Sequence, residues 1–227
     1  MADILYEDNH LLIVNKRPGE IVQGDKTGDE PLVETLKQMI KERDCKPGNV
    51  FLGVVHRLDR PVGGAVIFAK TSKALSRLNE MLRKGEIHKT YWALSRGIPN
   101  PTESTLTHYI KTVEKTNKSY AYTAPKDGTK EAKLKYRLLN RGATFSLIEV
   151  ELLTGRKHQI RVQLSAIGCP IRGDLKYGDK RSNPDGSISL LARKIEFIHP
   201  VSKQPIKVIA PVPNENVWKE IASQITE

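Results

Sequence analysis

The sequence predicts an α+β protein: a central mixed, mostly antiparallel sheet flanked by helices and loops. Three observations carry this reading. Short apolar runs rich in β-branched residues recur along the chain, as at residues 11–14, 50–55, 65–69 and 144–152. They are separated by turn-forming Pro, Gly and Asn clusters more often than by helices. Only four stretches have helical apolar spacing, too few for a regular alternation of strand and helix.

The elements follow in chain order. Residues 4–14 read as two short strands joined near residues 7–10, and the second runs into Asn15-Lys16-Arg17-Pro18-Gly19, a basic turn. Residues 31–43 form a helix candidate, with Pro31 suited to its first turn and Leu32, Thr35 or Leu36, Met39 and Ile40 on one face. The runs 50–55 and 65–69 read as buried strands on either side of a charged loop, residues 56–64. If the first strand continued into that loop, Arg57 and Asp59 would share a side. Residues 71–85 give the clearest helix: Thr71 or Ser72 caps it, Ala74, Leu75, Leu78, Met81 and Leu82 make its apolar face, and Gly85 stops it.

Residues 86–94 alternate as a strand, with Lys89 and Tyr91 on one face. The polar, lysine-rich segment through Lys133 suggests hairpin strands with exposed loops, and residues 133–139 and 144–152 an antiparallel pair. From Lys157 to Ile167 the spacing of Ile160, Leu164 and Ile167 predicts a helix that ends at Gly168 and Pro170. Arg156, Lys157 and His158 crowd its N-terminus, which is unfavourable for the helix and suited to a phosphate. Two late strands, residues 188–200 and 205–210, and a short closing helix, 217–225, complete the chain.

The chain has 227 residues, read as a single domain spanning residues 1–227, and it needs no disulfide or metal to build a core. Cys45 and Cys169 lie far apart and match no ligand pattern, so they read as reduced thiols in a cytoplasmic protein. No signal peptide or membrane span is expected. Lys and Arg outnumber Asp and Glu by 37 to 26, a net charge of +11, which suits a polyanionic partner and nucleic acid first. Aromatic residues make up 6% of the chain, too few for a surface built mainly of base-stacking platforms. No zinc pattern and no Gly-rich phosphate loop occur, so neither a metal nor another cofactor is expected.

Between the two buried runs stands His56-Arg57-Leu58-Asp59-Arg60, two guanidiniums on either side of one carboxylate, followed by Pro61 and Gly63-Gly64. On its own this could be a loop with a surface ion pair. A second pattern lies about 100 residues on: Thr154-Gly155-Arg156-Lys157-His158-Gln159-Ile160-Arg161, then Gly168-Cys-Pro-Ile-Arg-Gly-Asp-Leu-Lys-Tyr-Gly178. With Lys89-x-Tyr91, His199-Pro200 and the turn at Asn15, Lys16, Pro18 and Gly19, in which Arg17 is extra, these segments resemble the RluA-type family of RNA pseudouridine synthases over roughly residues 4–212.

The resemblance implies the pseudouridine synthase fold, with an active-site cleft across the sheet, and makes Asp59 the catalytic residue. It places Tyr91 against the target base, pairs Arg161 with Asp59, and gives Arg57 the space a flipped base leaves in a stem. Arg60, His56, Lys16, Arg17, Lys89, Arg156, Lys157 and His158 are expected to contact RNA. Because the first motif begins so near Met1, the small RNA-binding domain that precedes many relatives is expected to be missing. Where many relatives have Ser, the loop here has Gly63, which puts its local hydrogen bonding in doubt. The expected function is isomerisation of a specific uridine in ribosomal or transfer RNA, by a monomer with no obligate protein partner. The alternative is a noncatalytic RNA-binding or RNA-chaperone protein on the same fold.

Overall fold

The structure, a computed structural model, describes residues 2–25, 27–223 and 225. The chain divides into two compact units: residues 1–88 with 192–211, and residues 89–191 with 212–227. Both are α+β, and every strand pair with an assigned register is antiparallel.

The first unit begins with strand β1 (Asp3–Glu7), which pairs with β2 (Leu11–Lys16). Helix α1 (Leu32–Arg43) buries Leu32, Val33, Leu36 and Ile40, as its periodicity predicted. Strand β3 (Gly53–Val54) is far shorter than the apolar run suggested, and Phe51 within that run is exposed. The backbone after Val54 is loop, so the alternation argument for Arg57 and Asp59 does not apply. Strand β4 (Gly63–Ala69) is buried along its whole length and pairs with β2 from Leu11–Ala69 to Lys16–Gly64. Burial on both faces explains why its sequence is a continuous apolar run with no alternation.

Helix α2 (Ser72–Lys84) starts where the Thr71 hydroxyl accepts from the Ala74 N–H at 3.1 Å and stops at Gly85, whose φ is +74°. Later in the chain, β10 (Leu190–Ile198) pairs with β11 (Pro205–Ile209).

The second unit contains β5 (His88–Ser95), whose first residue belongs to the first unit, then β6 (Glu103–Val113), β7 (Lys118–Tyr122), β8 (Lys130–Arg141) and β9 (Ser146–Leu152), hydrogen-bonded in the order β5-β9-β8-β6-β7. The hairpins expected in the lysine-rich segment are β6 with β7 and β6 with β8, and the pair expected on either side of residue 142 is β8 with β9. Helix α3 (Gln159–Ala166) packs on one face of this sheet, where Val162 meets Ile110, Ala132 and Tyr177. It starts two residues later than its apolar spacing suggested, because His158 takes a left-handed conformation with φ of +55°. Helix α4 (Asn216–Ala222) closes the chain, with Trp218 and Ile221 buried.

Candidate active site

The loop that carries Asp59 is held by the first unit's own backbone. Leu58 is buried and anchors it, Arg57 and Arg60 are exposed, and Asp59 is half-buried between them. A turn closes the Val62 N–H onto the Asp59 carbonyl at 3.0 Å. Next to it lies the turn that follows β2. The Gly19 N–H donates to the Arg60 carbonyl at 2.8 Å, and the Arg60 Nε donates back to the Gly19 carbonyl at 3.1 Å. The Arg60 guanidinium also pairs with Asp29.

Lys16 ties the two turns together. Its side chain is 1% exposed, and its Nζ donates to the Arg17 carbonyl at 2.8 Å and the Arg60 carbonyl at 3.2 Å. Burial brings its pKa down to about 8, and the nearby negative charges of Glu20 and Asp59 moderate the fall. Lys16 is therefore a buried cation beside the loop that carries Asp59, where its sequence suggested a surface contact for an RNA backbone. His56 likewise turns inward: its Nε2 accepts from the Ile67 N–H at 3.2 Å, which places the ring proton on Nδ1. Arg57 is exposed, with no ion-pair partner among the described residues, and Arg17 is exposed at the neighbouring turn.

The glycines of the loop have different reasons. Gly64 has φ of +114°, and a Cβ there would lie 2.4 Å from the Ala192 carbonyl oxygen, so only glycine lets β4 and β10 approach this closely. Gly63 lacks the positive φ, and its Cβ would meet Pro18 Cδ at 3.2 Å and the Lys16 carbonyl oxygen at 3.3 Å.

In the second unit, Tyr91 sits on β5 opposite Val150 and is 6% exposed. Lys89, two residues earlier, is held below the usual lysine pKa by burial. Arg161 lies on α3 with its guanidinium buried, and Asp174 meets it with two hydrogen bonds, Oδ2 at 2.7 Å from Nε and Oδ1 at 2.9 Å from Nη2. Tyr177 stands over the same guanidinium, with 5.0 Å between ring centroid and Cζ. The Tyr177 hydroxyl lies 2.7 Å from His158 Nδ1 and accepts from the Ser119 N–H at 2.8 Å.

His158, expected as an outward contact, is 8% exposed and turned toward Tyr177. Arg156 and Lys157 are exposed, the first donating to the Glu131 carbonyl at 2.9 Å and the second paired with Glu114 at 3.1 Å. Asp174 and Tyr177 had no role in the sequence reading, although both stand in the Gly168–Gly178 motif. Their position in a motif was the one available signal.

The pattern that defines the RNA pseudouridylate synthase family matches residues 10–166. The chain is 35% identical over 98% of its length to ribosomal large subunit pseudouridine synthase C of Buchnera aphidicola, covering 70% of that protein. It is 33% identical over 94% of its length to ribosomal large subunit pseudouridine synthase D of Xylella fastidiosa, covering 66% of it. It thus spans about two thirds of the length of these relatives. A solved structure, human RNA pseudouridylate synthase domain containing 4, shares the fold, with a TM-score of 0.78 at 24% identity over 93% of this chain and 89% of that one. The family pattern and the identity over nearly the whole chain together show that this protein belongs to the RNA pseudouridylate synthase family of RNA-modifying isomerases.

Proposed function

We propose that the protein converts a specific uridine of ribosomal or transfer RNA to pseudouridine, with Asp59 as the catalytic carboxylate. The observation that carries the assignment is the held loop: Asp59 lies between two exposed arginines on a backbone clamped by the buried Lys16 and by Gly19. The reaction breaks the bond between ribose and uracil, turns the retained base and joins its carbon 5 to the ribose. It needs no redox partner and no group donor. It does need a carboxylate that stays ionised close to the nucleotide.

In this reading Arg161 pairs with Asp59, Tyr91 stacks on the uracil, and Arg57 fills the place of the flipped base. Arg17, Arg60, Arg156 and Lys157 are the exposed cations available to phosphates. The two units act as one catalytic domain, and the match of the family pattern to residues 10–166, which runs through both, supports this. The reading places the protein in the cytoplasm, consistent with the free thiols of Cys45 and Cys169. Among the described residues, no helix is long and apolar enough to cross a membrane.

The test is pseudouridine mapping in RNA from cells that lack the gene, complemented with the wild-type or the Asp59→Asn protein. A site that returns with the first and stays absent with the second supports the reading. Full modification by the Asp59→Asn protein ends it, and RNA binding without any mapped product favours a noncatalytic binder.

A further inference from the structure

The second unit buries an ion pair whose arrangement goes beyond what packing needs. Arg161 and Asp174 have side chains 6% and 1% exposed. Removing both charges from water is costly, and an apolar pair of the same volume commonly serves stability as well. What an ion pair adds is direction. Asp174 takes the Nε–Nη2 edge of the guanidinium with both oxygens, a geometry that fixes the plane of the group.

Tyr177 covers the guanidinium with its ring. The tyrosine is itself fixed at its far end, where its hydroxyl lies between His158 Nδ1 and the Ser119 N–H. Ser119 in turn donates through its hydroxyl to the Lys157 carbonyl at 2.8 Å, which ties β7 to the start of α3. Asp174 and Tyr177 come from one short segment with Gly173 and Gly178, both at positive φ, so a single turn delivers both groups.

We propose that Asp174 and Tyr177 are positioning residues that aim Arg161 for the isomerisation. The proposal rests on the reading in which Arg161 serves Asp59. Its physical content is electrostatic. Asp174 matches the charge of the arginine and fixes the plane of its guanidinium, so the pair supplies aimed N–H donors more than a net positive charge.

The experiment uses the full chain, with ribosomal and transfer RNA from cells lacking the gene as substrate and enzyme in saturating excess. The single-turnover rate constant at the mapped site is then independent of the fraction of folded enzyme. In the Asp174→Asn protein the rate constant is expected to fall about 100-fold, with RNA affinity changed less than about twofold.

Tyr177→Phe keeps the ring and loses only the hydroxyl, and about a tenfold loss in rate constant is expected. It decides the matter if the Asp174→Asn protein does not fold. Wild-type rate constants in both folded variants, or a loss of rate matched by an equal loss of RNA affinity, overturn the proposal. An Asp59→Asn protein that still makes product overturns the underlying reading instead, so the two failures are distinguishable.

Discussion

The Lys16 ammonium donates to the Arg60 carbonyl at 3.2 Å, joining the end of β2 to the loop that carries Asp59 across 44 positions of sequence. The same carbonyl accepts from the Gly19 N–H. A carbonyl with two donors is fixed in orientation, and the Arg60–Pro61 peptide, one residue beyond Asp59, is fixed with it. This makes the basic turn a clamp on the loop that carries Asp59.

Lys16→Met is therefore expected to slow product formation about tenfold in single turnover, while RNA affinity stays close to that of the wild type. It also has a pH signature. Burial lowers the Lys16 pKa from 10.5 to about 8, so between those values the unfolded chain binds more protons than the folded one and stability rises with pH. The wild type should gain on the Lys16→Met protein across that window, by at most about 3 kcal/mol. Urea unfolding of both proteins at several pH values checks it, and a difference independent of pH would contradict the assignment.

Gly63 and Gly64 should answer differently to substitution. Gly64→Ala drives a Cβ to within 2.4–2.8 Å of the Ala192 backbone at a positive φ, and a loss of about 3 kcal/mol or more is expected. Gly63→Ser needs Pro18 and the Lys16 carbonyl to move by a few tenths of an ångström, and it should cost about 1 kcal/mol with activity retained. Thermal unfolding of the two variants separates the cases.

Acid sensitivity of the first unit should centre on Glu7. Hydrogen bonds from Arg43, seconded by Lys70, bring its carboxyl down to about 2 against burial. A depressed carboxyl pKa gives stability that is present above 4.5 and is lost as pH falls toward 2. Glu7→Gln should lose about 1–2 kcal/mol at neutral pH, the Arg43 side being partly exposed and screened. The deficit should vanish near pH 2 in denaturant titrations.

Exposed and buried cations should separate in binding. Arg57→Ala is expected to weaken RNA affinity about tenfold and to reduce the slope of log affinity against log salt by about 0.7–0.9. Lys16→Met should leave that slope unchanged, because its ammonium faces two carbonyls and not solvent. Filter binding at several salt concentrations measures both.

Much of the site was legible because its motifs are local. Asp59 with its flanking arginines, and Arg161 at the start of a helix, stand in contiguous patterns that survive as sequence. Helices α1 and α2 were legible for the same reason, since a helix repeats its apolar residues within the span that forms it. Strand β3 was not: an apolar run of that length fits a long strand, yet only Gly53 and Val54 form the strand, and Phe51 is exposed.

What the sequence determined by itself is the family, the α+β class and the motifs that single out candidate site residues. Those rest on residue types at short spacing, and short spacing survives in one dimension. Only the tertiary structure decided which cations face inward. Lys16, His158 and Arg17 all read as basic surface, but two are buried and one is exposed. The difference comes from partners distant in the chain, the Arg60 carbonyl for Lys16 and the Tyr177 hydroxyl for His158. A buried polar group is tolerated only where such a partner waits, and the partner's position is a property of the fold.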